Sequence, residues 1–364
     1  MKKMKKHLSI ASCLLLTFSM LLSGCGSTPT TTPTATATPS STATPSASAS
    51  ETPSAPAELT TVRLQLKWLP QAQFMGYYVA AEKGYYEAEG LKVEILPGGP
   101  DIVPESQVAS GAADIGVGWV STLMPFQEQG YPLVEIAQVL QRSALQLVYF
   151  KTQNISTPAD LKGKTIGSWL AGHEYEIYAL LEKYGLDKDK DVTIAKQDFT
   201  MDAFLNKTLD VASAMTYNEY MVVLESGVPE ADVAVIDMND EGVAMLEDCL
   251  FASTEWLDGN KELAAKFLKA SIKGWADACS DPEAAAQIVF NLVDQSSTTL
   301  EHQVSMAKKI AESVAPAGFD PANIGFIDAA AIAQTAEIAK AYGVISEIPE
   351  TIFTTEIWDA ATAK

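Results

Sequence analysis

Positive charge is scarce in this chain. Its 364 residues hold 46 acidic side chains against 25 basic ones, a formal net charge of −21, and only two of the basic residues are arginines, Arg63 and Arg142. Phosphate backbones are bound through Lys and Arg, so a nucleic-acid partner is excluded as an expectation. Cysteine is equally sparse. Cys13, Cys25, Cys249 and Cys279 never form a CxxC spacing, which argues against a cysteine-built zinc site. Histidine occurs three times, at His7, His173 and His302. No Ser or Cys is spaced to pair with His173 as a nucleophile, and His302 reads as an inert position on a surface helix. No metal, cofactor or catalytic residue is expected, and the chain does not read as an enzyme.

The N-terminus is an export signal in pattern. "MKKMKKH" supplies positive charge and "LSIASCLLLTFSMLL" an apolar stretch, short of the ~20 residues of a membrane span. "LSGC", Leu22 to Cys25, resembles the bacterial lipobox, in which the cysteine is lipidated and becomes the mature N-terminus. Residues 1–24 are therefore assigned as a signal peptide. Its removal takes four lysines with it and leaves the chain more acidic still. Residues 25–59 form a tether: "STPTTTPTATATPSSTATPSASASETPSAPA" is almost wholly Ser, Thr, Pro and Ala and cannot bury a core. About 30 such residues reach roughly 30 Å. The expected location is the extracytoplasmic face of the cell membrane, held by the lipid anchor.

From residue 60 the pattern changes. "TVRLQLKW" alternates as a strand, and a helix over Gln73–Lys83 stops at Gly84. "LKVEILPGG", "ADIGVGWV" and "PLVEIAQVL" read as further strands, separated by the short helix "PESQVASG". After Tyr149 and Phe150 the same plan restarts, with strands in "KTIGSW", "DVTIAK", "DVASAM" and "VAVIDMND" and a helix in "EYEIYALLEKYG". Alternating strands and helices predict an α/β fold with mostly parallel sheets. Beyond Glu255 the chain is mainly helical, and Asp281-Pro282 is an N-cap followed by proline at the first helical position. The expected arrangement is lobe 1 from 60–150 and 241–364, lobe 2 from 151–240, hinged near 149–153 and 240–252.

The two halves echo one another. "SQVASGAADIGVGWVSTLM" and "DAFLNKTLDVASAMTYNEYMVV" each run from a short helix through Asp114 or Asp210 into a small-residue strand and then a polar-aromatic cluster. Ligands of open parallel sheets bind beyond the C-terminal strand ends. Three clusters fall there: Trp68 to Phe74, Trp119-Val120-Ser121 and Tyr217-Asn218-Glu219-Tyr220.

Those residues also resemble a known family. The lipobox, the tether, "KWLPQAQFMGYYVAAEKGYYEAEGLKVEI", "VASGAADIGVG", "PADLKGKTIG" and "LEKYGLD" together resemble the NMT1/THI5-like (SsuA/THI5-like) solute-binding lipoproteins of ABC importers. The resemblance covers roughly residues 60–345. It implies a two-lobed type II periplasmic-binding fold, a ligand clamped in a cleft between the lobes, and permease and ATPase subunits as partners of a monomeric binding protein. Family members handle thiamine pyrimidine precursors, riboflavin or alkylsulfonates, and a eukaryotic branch synthesises the thiamine pyrimidine. One departure stands out: Phe74 occupies the place of a histidine usual in the pyrimidine-handling branch, and the Cys-rich motif of the synthases is missing.

Residue types then sort the candidates. Trp68, Phe74 and Trp119 from one lobe and Trp169, Tyr175 and Tyr217 from the other are platforms for a planar ring, with core packing as the alternative. Gln71, Gln73, Asn218 and Glu219 are partners for ring nitrogens, amino groups or carbonyls. Arg142 is either a ligand contact or a salt bridge between lobes. Gly172 and Glu174 stand before a helix, where free N–H groups would favour an anion or carbonyl unless they are ordinary capping. Cys249 and Cys279 leave a disulfide open. The expected ligand is a planar nitrogen heterocycle, riboflavin or a thiamine pyrimidine precursor; the alternatives are a binding protein for sulfonates or taurine-like solutes and, further behind, an enzyme like the thiamine-pyrimidine synthases.

Overall fold

The computed structural model describes residues 58–170 and 172–363. The signal peptide, Cys25 and nearly all of the tether lie outside the described residues. The first lobe opens with β1 (Thr60–Gln65), α1 (Met75–Glu82), α2 (Tyr85–Ala88), β2 (Leu91–Leu96), α3 (Pro104–Ala109), β3 (Ile115–Trp119), α4 (Val120–Glu128) and β4 (Leu133–Gln138). The second holds β5 (Leu145–Phe150), β6 (Thr165–Ser168), α5 (Tyr175–Lys183), β7 (Thr193–Lys196), α6 (Asp202–Leu205), β8 (Val211–Met215), α7 (Glu219–Glu225) and β9 (Val233–Asp237). The chain then returns to the first lobe as β10 (Asp248–Ser253) and runs through α8 (Thr254–Ser280), α9 (Pro282–Phe290), α10 (Leu300–Val314), α11 (Ala329–Ala341) and α12 (Glu356–Thr362).

Each lobe is built on one sheet of five strands, ordered β2-β1-β3-β10-β4 and β7-β6-β8-β5-β9. The two orders are the same plan. In each, four strands run in the same direction, and the strand entering from the other lobe, β10 or β5, lies antiparallel to both its neighbours. The echo in the sequence has a physical basis. Asp114 accepts from the backbone N–H of Arg63 at 2.7 Å, and Asp210 accepts from that of Thr165 at 2.9 Å. Each aspartate thus pins the strand that follows it in space to the middle of its sheet.

The lobe boundary differs from the sequence expectation. Leu145–Phe150 hydrogen-bonds to β8 and β9, so β5 belongs to lobe 2 and the first crossing lies at residues 139–144 rather than near 149–153. Strand periodicity does not say which sheet a strand joins. The second crossing, residues 238–247, lies within or beside the expected stretch.

Packing explains the helical C-terminal part. α8 covers α1 at close range because both helices carry glycine at the crossing: a Cβ on Gly76 would stand 2.1 Å from Trp275, and one on Gly274 2.2 Å from the Gly76 carbonyl. Trp275 is buried over this crossing. As expected, Asp281 caps α9, accepting from the Ala284 N–H at 3.1 Å, with Pro282 first in the helix. Cys249 and Cys279 are both free. No helix among the described residues is long and apolar enough to cross a membrane.

Among the described residues, one buried acid differs from the others in having no hydrogen-bond partner. Glu135 on β4 is fully buried, neither carboxyl oxygen has a partner, and burial pushes its titration up to about 8. The folded state therefore holds the neutral acid, and stability present below the ordinary carboxylate range is lost as pH rises toward 8. Glu135→Gln should raise stability at pH 8 by roughly 2–4 kcal/mol and by much less at pH 5. Chemical denaturation of both proteins at the two pH values checks this; an equal effect at both contradicts it.

Candidate ligand-binding site

A cavity of about 790 Å³ lies between the lobes, at the C-terminal ends of the strands. Lys67 to Gln73 after β1, Gly99 to Glu105 after β2 and Trp119 to Thr122 at the end of β3 form the wall from lobe 1. Trp169, Gly172, His173 and Tyr175 after β6, Phe199 after β7, and Met215 to Glu219 after β8 form the wall from lobe 2. The lobes meet at its mouth, where the Trp68 and Phe199 rings lie 5.0 Å apart.

The two amides that follow Trp68 are tied to Asp248. The Gln71 side-chain amide donates to Gln73 Oε1 at 2.8 Å, and Gln73 Nε2 donates to Asp248 Oδ2 at 2.8 Å. The Trp119 indole N–H donates to the other oxygen of Asp248 at 2.9 Å. Burial pushes the Asp248 carboxyl up, and these hydrogen bonds and nearby Lys67 pull it back. Trp119 is therefore fixed in orientation with its ring facing Lys67, whose ammonium stands 4.4 Å from the ring centroid.

Two further carboxylates line the cavity. Thr122 donates to Glu105 Oε1 at 2.5 Å. Glu219 accepts from the Met215 N–H at 3.0 Å and from the Asn218 amide at 2.9 Å, and burial raises its titration. Tyr217 is buried, with its hydroxyl pushed well above the ordinary range by burial. Trp169 is held by its indole N–H on the Asp198 carbonyl at 3.2 Å. Between the two tryptophans stands His173, 4.5 Å from Trp119 and 5.2 Å from Trp169, both edge-on. Burial, and Lys67 beside it, push His173 down to about 4, so it is a neutral imidazole at physiological pH. Its Nδ1 lies 2.9 Å from the Leu170 carbonyl and must carry the proton, since a carbonyl only accepts.

Of the residues expected from sequence, Trp68, Gln71, Gln73, Trp119, Trp169, Tyr175, Tyr217, Asn218 and Glu219 all line this one cavity. Three do not. Phe74 is fully buried in the core of lobe 1 beneath α1, because the turn that exposes Trp68 points the next aromatic inward. Arg142, in the first crossing, forms an ion pair with Asp237 at the end of β9 at 3.1 Å and borders a separate hollow of about 300 Å³ with Asn239 and Met245. The Glu174 carboxylate accepts from the Gly172 N–H at 2.9 Å, and the His173 N–H meets the Leu170 carbonyl; the N–H groups of these two residues are therefore taken. Sequence reasoning missed Lys67, Glu105, Thr122, His173 and Phe199 as wall residues. The signal for Lys67 and Phe199 was their position two and three residues past a strand end. Glu105 and Thr122 sit inside helices and carried none.

Comparison with known proteins agrees with this architecture. The riboflavin-binding protein RibY of Chloroflexus aurantiacus is 28% identical over 348 residues, covering 90% of this chain and 91% of that protein. A formylaminopyrimidine-binding protein of Halalkalibacterium halodurans is 26% identical over 250 residues, covering 68% of this chain and 74% of its own. The periplasmic aliphatic sulphonate binding protein SsuA from Escherichia coli superposes with a TM-score of 0.60 at 16% identity, over 81% of this chain and 91% of that one, which gives the two lobes the periplasmic-binding-protein fold. The family model described as NMT1/THI5 like matches residues 71–285, well over half of the chain, and the chain belongs to that family.

Proposed function

We propose that this chain is the extracytoplasmic solute-binding component of an ABC importer, and that it captures a planar, unphosphorylated nitrogen heterocycle between its lobes and delivers it to a permease. The observation that carries the reading is the pairing of flat apolar walls with acceptors. Trp119, Trp169 and Tyr217 supply faces for a ring, while Glu105, Glu219 and neutral His173 supply acceptors for its N–H and amino groups. Lys67 is the one cation among the lining residues, and it already stands over Trp119, with Asp248 close enough to respond to its charge. A sulfonate needs several donors for a full negative charge, and the acidic chain repels anions at long range. The cavity volume favours a tricyclic ring such as riboflavin over a single pyrimidine. The two binding proteins among the relatives support capture rather than turnover. Cys25 is proposed as the lipidated N-terminus that keeps the body at the membrane.

Two outcomes are expected. Calorimetry should detect riboflavin, a weaker formylaminopyrimidine and no taurine, and Trp169→Ala or Glu219→Gln should each weaken riboflavin by about 1–3 kcal/mol. Taurine binding alone, or unchanged riboflavin affinity in both variants, overturns the reading. Cys25→Ser should move the protein from the membrane to the soluble fraction; retention at the membrane contradicts the anchor.

A further inference from the structure

The sequence marks His302 as an inert position on a surface helix, and the structure gives it two partners in the opposite lobe. His302 lies in the first turn of α10, in lobe 1. Its Nδ1 stands 2.9 Å from Glu225 Oε2 at the end of α7, and its Nε2 stands 3.0 Å from Asn218 Oδ1 just before α7. The ring is largely covered, with 13% of its side chain exposed against 37% for Glu225. Asn218 is not free to turn its amide over: its Nδ2 donates to the Glu219 carboxylate at 2.9 Å, so its oxygen faces the ring. Both ring nitrogens therefore meet acceptors, an arrangement satisfied when both carry a proton and the imidazole is cationic. The contacts continue inward without a break, from Glu225 through His302 and Asn218 to Glu219, and the last two line the cavity.

We propose that His302 is a positioning residue for ligand capture: as an imidazolium it clasps α10 to α7 across the cleft and holds Asn218, and through it Glu219, in the orientation presented to the ligand. The proposal rests on the cavity being the ligand site, though the clasp itself is a property of the two lobes. A ligand N–H donated to Glu219 favours its ionised form, which in turn keeps the Asn218 oxygen toward the ring. Closure and ligand binding are thereby coupled to uptake of one proton at His302.

The surroundings fit this assignment. From lobe 2 the titratable groups facing His302 are Glu225 directly and Glu219 through Asn218. The turn Ala72–Phe74 packed against α10 brings no charge. On α9, Glu283 is paired with Lys308. On α8, Lys266, Lys269, Lys261 and Asp277 are paired with Glu262, Glu89, Glu356 and Lys83, and Lys273 stands over Tyr85. On α10 itself Lys309 pairs with Glu312, and Glu301 is exposed.

The test is small-angle scattering of the ligand-free full chain at pH 5.5 and 8.5, for wild type, His302→Gln and Glu225→Gln. Wild type should be more compact at pH 5.5. Both variants should lose that difference, while the buried carboxyl groups elsewhere, unchanged in the variants, contribute equally to all three. A wild-type radius of gyration independent of pH overturns the proposal, as do variants that respond as wild type does; Glu225→Gln alters a partly exposed side chain and serves if His302→Gln fails to fold. Riboflavin affinity, measured on the same proteins, should be about tenfold tighter at pH 5.5 than at 8.5 in wild type and equal at both in the variants. If the scattering behaves as expected and riboflavin binds at neither pH, the clasp stands and the choice of ligand falls; if riboflavin binds with the same affinity at both pH values, the coupling is absent and the proposal falls.

Discussion

The buried carboxylate of Asp248 joins the hinge to the ligand cavity. It begins β10, the strand that returns the chain to lobe 1. Its side chain fixes Trp119 and Gln73 in the cavity wall. Its own carbonyl accepts from the N–H groups of Val139 and Leu140, both at 3.1 Å, where the chain leaves for lobe 2. One residue thus sets the orientation of Trp119 in the cavity wall and the start of the first crossing. A buried carboxyl group is tolerated only when hydrogen-bonded, so Trp119 and Gln73 are held to β10 by the cost of leaving it unpaired, while the backbone carbonyl of the same residue holds the crossing.

Its neighbour extends the same logic to the hinge. Glu247 accepts from Ser143 Oγ at 3.0 Å and from the Ala144 and Leu145 N–H groups at 3.0 and 3.2 Å, and burial pushes it up to about 8. Glu176 on α5 accepts from the same Ser143 hydroxyl group at 3.3 Å and from the Met245 N–H. Both crossing segments and the first helix of lobe 2 are stitched together through two carboxyl groups with little water near them. Domain closure about short crossing segments is the common motion of two-lobed binders. Here those segments are defined by hydrogen bonds rather than by glycine, with Gly242 the one glycine in the second of them.

What was legible in the sequence was local. Alternation found β1, glycine found the end of α1, and Asp281-Pro282 found the start of α9, because each depends on a few adjacent residues. The repeated aspartate before a small-residue strand located the matching halves, since Asp114 and Asp210 perform the same backbone contact. Trp119 and the Tyr217–Glu219 cluster were legible as cavity residues because strand ends in such sheets face the cleft. What was not legible depended on distant partners. Phe74 and Trp68 are both aromatics of one turn, and only the fold decides which faces inward. The partner of Arg142 is 95 residues away, and that of His302 is 77 or 84 residues away. Nothing in the surrounding sequence distinguishes His302 from a solvated histidine. β5 reads as a strand and gives no sign of which sheet it completes.

The most direct measurement of the central claim is mass spectrometry of the small molecule that leaves the chain on denaturation, after purification from cells in an unsupplemented medium. A cavity with flat aromatic walls, three acceptor side chains and one cation predicts an aromatic nitrogen heterocycle bearing N–H or amino donors and no phosphate or sulfonate, present in near-stoichiometric amount. Recovery of a sulfonate or another aliphatic anion in that amount would contradict the account, because Lys67 is the one cation among the lining residues and the acidic chain repels anions.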